Sequence, residues 1–157
     1  MKTFTAALVV LLALPALAEA KTYTLTGKFP SDAGTISLKV KTNKKGKPVS
    51  VSSIKAKNVR YRCPVPGPEG TPNPEFRRDI TVAGTLAVKK VDSGGELPPT
   101  YQFRKSFKVD GYRINSSVFG VLSKTGKKVT EGALDLNFAQ NGNPCANGIP
   151  GFTAKAK

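Results

Sequence analysis

The chain has 157 residues, of which 25 are lysine or arginine and 10 are aspartate or glutamate, giving a formal net charge of +15 at pH 7. It contains no histidine, which excludes Ser-His-Asp and Cys-His catalysis and zinc sites that need histidine. The charge favours anionic partners, while the excess of 19 lysines over 6 arginines is typical of a hydrated surface rather than of bidentate phosphate recognition.

Residues 1–20 have the pattern of a secretory signal peptide. Lys2 supplies the positive start, residues 4–14 are an apolar run, and residues 18–20 form a small-x-small cleavage sequence. We predict cleavage before Lys21, with a start two residues earlier as the alternative. An uncleaved anchor is disfavoured because the apolar run is shorter than the roughly 20 residues that span a bilayer. No later segment approaches that length, so we expect a secreted protein, periplasmic or extracellular.

Residues 21–157 are expected to form a single domain, because a chain of this length can bury enough surface for one core. The chain has two cysteines, Cys63 and Cys145. An even number of cysteines in an exported chain predicts a disulfide between them, and two buried thiols are the alternative. The bond would tie the C-terminal segment to the middle of the chain and, by the chain-entropy relation, stabilise the fold by at most about 4.5 kcal/mol.

Apolar and polar residues alternate along most of this domain, which predicts β-strands and no amphipathic helix. The first strand is predicted at 23–29 and is followed by a turn at 30–34. The second strand carries Ile36, Leu38 and Val40 on its apolar face.

The alternation changes phase twice in the next segment, near residues 52–53 and near residues 57–58. Two β-bulges explain this pattern, because each bulge inserts one residue and returns the apolar set to the core face. Two short strands joined by an irregular link are the alternative.

Residues 63–79 are different in kind, with prolines at positions 64, 66, 68, 72 and 74. Proline cannot pair within a central strand, so this segment is predicted to be a long loop whose start is held by the disulfide. Such loops are uncommon in compact domains unless they are functional or disordered. Alternation over residues 80–88 predicts the next strand.

The dipeptide Asp110-Gly111 predicts a hairpin with a two-residue type I′ turn. That turn would place Phe103 opposite Val118 and Lys105 opposite Ser116, unless a bulge beside Ser116 shifts the register.

Further strands are predicted at residues 134–138 and 152–156, giving an all-β, antiparallel domain of seven to nine strands. This count suits a β-sandwich or a partly closed β-barrel. An immunoglobulin domain and a lipocalin are disfavoured, because each is expected to contain a characteristic tryptophan and the chain has none.

Four short patterns run through the domain: Tyr23-x-Leu25-x-Gly27, Arg60-Tyr61-Arg62-Cys63, Gly132-x-Leu134-x-Leu136, and Cys145 before a short terminal strand. In these patterns the chain resembles a loosely defined set of small secreted bacterial all-β domains that have a disulfide and no assigned activity. The resemblance implies a fold type and a disulfide, and no reaction.

Carboxylates are the remaining candidates for catalysis in a chain without histidine. Glu69, Glu75 and Asp79 lie near one another around the proline segment, but a glycosidase needs two carboxylates at a fixed separation, and a solvated loop explains these three better. No calcium-loop or phosphate-loop motif is present. We therefore predict a protein that is not an enzyme, with no catalytic residue, metal ligand or cofactor; a carboxylate-dependent hydrolase is the third-ranked alternative.

The favoured interpretation is a secreted, disulfide-stabilised cationic β-domain that associates with an anionic polymer of the envelope or the surroundings. Export makes intracellular nucleic acid an unsuitable target. Lysines that only keep the protein soluble are one alternative, and a barrel or sandwich that binds a small apolar ligand or a protein partner is another. Lys124, Lys127 and Lys128 form a further basic cluster. The candidate anion-binding residues are Lys39, Lys41, Lys44, Lys45, Lys47, Arg60, Arg62, Arg77 and Arg78.

Overall fold

The structure, a computed structural model, describes residues 19–64, 67–69, 71–92, 98–110 and 115–157. Nearly all of the predicted signal peptide, residues 1–18, therefore lies outside the described residues. The described part has twelve β-strands, one short 3-10 helix at Pro30–Asp32 and no α-helix. The strands are β1 (Thr22–Lys28), β2 (Thr35–Thr42), β3 (Pro48–Arg62), β4 (Glu75–Val82), β5 (Leu86–Ala87), β6 (Lys89–Val91), β7 (Thr100–Phe107), β8 (Ser116–Leu122), β9 (Lys128–Asp135), β10 (Asn137–Gln140), β11 (Asn143–Ala146) and β12 (Gly151–Ala156).

All twelve strands belong to one antiparallel sheet that is not closed by a continuous ladder. Its order is β10-β11-β3-β2-β1-β12-β9-β8-β7-β6, and β4 and β5 also pair with β3. The long strand β3 thus connects several parts of the sheet. The first strand, β1, lies between β2 and the last strand, β12, so the two ends of the described domain are neighbours.

The alternation in the sequence correctly predicts which side chains enter the core. In β2, Ile36, Leu38 and Val40 are buried, whereas Thr35 and Lys39 on the other face are exposed. Every strand with this pattern buries one face, as expected for a sheet with one solvated side. The largest fully buried side chains are Phe103, Phe138, Leu25, Ile36, Leu38, Ile54, Leu134, Leu136, Val40, Val51, Val59 and Val118.

Both predicted bulges are confirmed, and β3 is one continuous strand rather than two. The β2–β3 register shifts where Ser53 has a φ of 50°, and the β3–β4 register shifts where Asn58 has a φ of 55°. These left-handed residues absorb the extra position at each bulge. Val51, Ile54 and Val59 consequently all remain buried despite the changes of phase.

The predicted register of the β7–β8 hairpin is wrong by two residues. Phe103 pairs with Gly120 rather than Val118, and Lys105 pairs with Val118 rather than Ser116. The turn residues 111–114 lie outside the described residues, and the observed pairs are centred one residue later than a two-residue turn at Asp110-Gly111 would place them. A shift of two keeps the same side chains on the core face, and it places the Phe103 ring where a Cβ on Gly120 would lie only 2.4 Å away.

The loop predicted over residues 63–79 is wrong at its C-terminal end, because β4 starts at Glu75 and residues 75–79 are strand. These residues pair with β3, where Glu75 is opposite Arg62. The strand predicted at 80–88 is also interrupted, since Gly84 has a φ of 85° between β4 and β5. Interruptions of this kind, together with the short strands β6 and β11, which were not predicted, account for twelve strands among the described residues rather than seven to nine.

Candidate anion-binding groove

The outer face of five neighbouring strands, β3, β2, β1, β12 and β9, carries a groove of about 900 Å³. Buried residues such as Ile36 and Ala154 point into the core, so the residues on either side of them point outward into the groove. Six lysines and five hydroxyl residues line it: Lys28, Lys55, Lys57, Lys128, Lys155 and Lys157, with Thr26, Thr35, Ser37, Thr130 and Thr153.

The strand register arranges these side chains in rows that cross the sheet. One row, which we call the first row, runs through all five strands in the order Lys55, Ser37, Thr26, Lys155 and Lys128. In this row, lysines at the two ends flank two hydroxyl residues in the middle.

A second row lies one pleat away on the same face. It runs through four strands in the order Lys57, Thr35, Lys28 and Thr153. Lysine and threonine alternate along it, so cationic and hydroxyl groups face the same space from both rows.

The groove is electrostatically unbalanced. No aspartate or glutamate of the described residues lines it, and none of its lysines is among the ion pairs found in that part of the chain. Lys155 and Lys128 are direct cross-strand partners, and like charges in this position destabilise a sheet. The groove therefore presents a positive field that an anion would relieve.

Irregular backbone flanks the groove and explains how the outer face of a sheet can be concave. The β3 bulge at Ser53 lies beside Lys55, and the β12–β9 register shifts between Phe152 and Ala154. Bulges bend strands and increase their twist. At the floor, Gly27 allows β12 to approach closely, because a Cβ there would lie 1.9 Å from the carbonyl oxygen of Thr153.

The predicted hairpin lysines lie on the same hairpin as part of the groove but do not line it. Lys39 and Lys41 are exposed on β2, on the face that also carries Ser37. Lys44, Lys45 and Lys47 are exposed in the turn between β2 and β3. There the side-chain Oδ1 of Asn43 accepts hydrogen bonds from the backbone N–H groups of Lys45 and Lys47.

Three of the four predicted arginines come together on the outer face of β3 and β4. Arg60, Arg62 and Arg77 each have a guanidinium nitrogen 3.6 to 3.9 Å from a carboxylate oxygen of Glu75. One carboxylate is thus shared by three cations, and the cluster keeps a net positive charge.

The fourth arginine, Arg78, has a different environment. Its guanidinium donates hydrogen bonds of 2.8 and 3.1 Å to both carboxylate oxygens of Asp110 and lies 4.7 Å from the centre of the Phe138 ring. These hydrogen bonds lower the pKa of Asp110 below its usual value. Arg78 therefore links β4 to Asp110, which follows β7. Its guanidinium is already paired with a protein carboxylate.

The candidate list from the sequence missed all six groove lysines. These lysines lie on or directly after four strands, β1, β3, β9 and β12, whereas the candidates predicted from the sequence are mostly close together along the chain. Lys128 was recognised only as part of a basic cluster. The sequence does hold a signal for the other groove lysines. Lys28, Lys55, Lys57 and Lys155 each alternate with core residues, so their side chains are expected on the outer face of the sheet.

The predicted disulfide between Cys63 and Cys145 is confirmed. It joins the end of β3 to β11, away from the groove. Among the carboxylates noted in the sequence, Glu75 contacts the arginine cluster, and Asp79 accepts a hydrogen bond of 2.9 Å from the backbone N–H of Asn58. The described residues contain no group of three or more potential metal ligands.

Comparison with protein-family models, curated proteins and solved structures finds no match to this chain. Among the described residues, no helix is long and apolar enough to cross a membrane.

Proposed function

We propose that the protein is a secreted, non-enzymatic, disulfide-stabilised β-domain that binds anionic polymers of the envelope or the surroundings through the lysine groove. The observation that carries this proposal is the convergence of six lysines on a groove that no described carboxylate lines. A scatter of solubilising lysines would not require direct like-charge neighbours such as Lys155 and Lys128. Secretion is part of the proposal, and the signal-peptide pattern and the disulfide support it.

The test compares two triple variants that change the net charge equally. Lys55, Lys128 and Lys155→Glu alters the first row, and Lys44, Lys45 and Lys47→Glu alters the exposed β2–β3 turn. Retention on immobilised heparin is measured over a range of salt concentrations. If the groove binds the polymer, the groove variant elutes at lower salt than the turn variant, and the slope of log affinity against log salt concentration falls by roughly three. Equal losses in both variants would show that net charge alone governs retention.

A second candidate function is binding of a small apolar ligand or a protein partner beside the disulfide. A smaller groove of about 300 Å³ lies there, and its volume is at the lower end of the usual range for ligand pockets. This candidate would take first place if neither triple variant altered retention on anionic polymers. The smaller groove is lined by Arg62, Pro64, Asn73, Asn137, Phe138, Pro144, Cys145 and Ala146.

Of the two predicted architectures, we favour the partly closed barrel. The strand β5 pairs with β3, and β6 pairs with β7, with only Val88 between β5 and β6. The chain therefore bridges two strands that are far apart in the order of the sheet. The same two regions are joined by the Arg78–Asp110 ion pair and by a hydrogen bond from Lys105 Nζ to the carbonyl oxygen of Ala83.

A further inference from the structure

We infer that the ligand of the lysine groove is a linear anionic polysaccharide that lies across the strands, along the first row. This inference rests on the proposed function and adds the chemical class and the direction of the polymer. It depends on three properties of the groove: the length of the row, the hydroxyl groups between its lysines, and the side chains that the groove lacks.

The first row is long enough for an extended polymer. It crosses five strands, and four inter-strand spacings of about 4.8 Å give a length of roughly 19 Å. The second row runs parallel to it, two residues along each strand or about 7 Å away. A polymer that lay along the strands would meet the groove across its shorter dimension and contact fewer lysines.

The middle of the first row is neutral and rich in hydroxyl groups. Ser37 and Thr26 lie between Lys55 at one end and the Lys155–Lys128 pair at the other. A hydroxyl group both donates and accepts hydrogen bonds. Within the described residues, the side-chain hydroxyls of Ser37 and Thr26 make no hydrogen bond. This arrangement matches a polymer whose anionic groups are separated by neutral sugar hydroxyls.

The groove lacks the side chains that hold single-stranded nucleic acids. Such sites combine basic residues with aromatic rings on which bases stack, and arginine adds to the stacking. The described lining contains no aromatic residue and no arginine. Tyr61, which stands between two arginines in the sequence, is only 6% exposed and packs against Phe138 in the core.

The paired lysines at one end give the anion a specific place to bind. Lys155 and Lys128 are direct neighbours across the β12–β9 ladder with no carboxylate of the described lining between them. A sulfate or carboxylate group bound there would be shared by two ammonium groups and would remove their repulsion. The two ends of the first row therefore differ in charge, with two lysines at the β9 end and one lysine at the β3 end.

The decisive experiment removes hydroxyl groups while leaving the charge unchanged. Thr26→Val combined with Ser37→Ala is compared with Thr24→Val, which changes an exposed threonine of the same strand outside the groove. The probes are size-defined heparin oligosaccharides, inorganic polyphosphate and a single-stranded oligothymidylate, with binding measured by calorimetry at fixed salt. Circular dichroism and thermal unfolding verify that each variant is folded.

We expect the double variant to lose roughly two- to tenfold affinity per hydroxyl for the oligosaccharides and to bind polyphosphate like the wild type, because polyphosphate offers no sugar hydroxyls. Affinity for the oligosaccharides should rise with chain length until the sugar chain spans the row. The Thr24 variant should behave like the wild type.

Three results would overturn the inference and spare the proposed function: unchanged oligosaccharide binding by the double variant, equal losses for polyphosphate, or tighter binding of oligothymidylate than of the oligosaccharides. If none of the three probes distinguished the Lys55, Lys128 and Lys155→Glu variant from the matched turn variant, the proposed function itself would fail.

Discussion

Gly27 shows how one residue shapes the candidate groove. It sits on β1 opposite Ala154 of β12, and an added Cβ would lie 1.9 Å from the carbonyl oxygen of Thr153 and 3.1 Å from the Cα of Ala154. Both are backbone atoms of a paired strand, so no side-chain rotation can relieve the overlap. Any side chain at this position would push β1 and β12 apart at the floor of the groove.

We therefore predict that Gly27→Ala lowers the free energy of unfolding by about 1 to 3 kcal/mol, as overpacking substitutions do, and weakens retention on heparin. Urea unfolding and the heparin assay measure the two effects. Gly151→Ala is the matched control in β12, because the nearest atom to its Cβ would be at an ordinary contact distance of 3.6 Å. Equal stability of the two variants would contradict the close approach of β1 and β12.

The residue scale also shows what a sequence pattern can resolve. The change of alternation phase predicted bulges near residues 52–53 and 57–58, and the structure shows left-handed backbone at Ser53 and Asn58. Arg78 has the same residue type as the candidates beside it, yet its guanidinium is held by Asp110. Alternation reports the direction of a side chain, whereas its partner depends on which distant segment packs beside it.

At the scale of elements, the β10–β11 hairpin has few backbone ties to the rest of the sheet. A single residue pair, Ala146 with Arg62, connects β11 to β3. The Cys63–Cys145 disulfide lies next to this pair, and a hydrogen bond of 2.8 Å from the Tyr61 hydroxyl to Gln140 adds a further link. The disulfide is therefore the main covalent restraint on this hairpin.

Replacing both cysteines by serine is expected to reduce the free energy of unfolding by up to about 4.5 kcal/mol. Amide hydrogen exchange should accelerate first in residues 137–146, because local stability there depends on the bond. The paired strands β1 and β2 should retain protection, and binding to heparin should persist because the groove lies elsewhere in the sheet. Loss of heparin binding with the fold intact would contradict this separation of the two regions.

The elements were predicted with different success for a physical reason. Strand faces in β1, β2 and β3 follow from alternation, which is local. The boundary of β4 at Glu75 was missed because the prolines before it suggested a continuous loop, and pairing with β3 is a long-range event. The β7–β8 register was missed because Asp110-Gly111 is a frequent local turn, while the observed pairing places the Phe103 ring over Gly120.

At the scale of the whole molecule, the proposed export and the net charge favour the same class of partner. The net charge of +15 is carried by a chain whose first 20 residues have the signal-peptide pattern. Outside the cytoplasm, a protein of this charge is exposed to anionic polymers of the envelope or the surroundings rather than to intracellular nucleic acid. The oxidising environment there also favours a disulfide between its two cysteines.

The proposed export predicts a mature protein with a defined first residue. Intact-mass analysis of the protein recovered from outside the cytoplasm should give a chain that starts at Lys21, with a mass two hydrogens below that of the reduced form. A chain that starts at Glu19 would shift the cleavage site to the earlier small-x-small sequence. Full-length protein in the membrane fraction would contradict removal of the signal peptide.

The sequence by itself determined the all-β class, the inward and outward faces of the main strands, both β3 bulges and the Cys63–Cys145 pair. These features depend on local alternation or on the only two cysteines in the chain. The tertiary structure decided which lysines share a surface, because β1 lies beside β12, and β12 lies beside β9. Period-two geometry fixes the direction of a side chain within its own strand, but its lateral neighbours are fixed only when strands from distant parts of the chain pair in register.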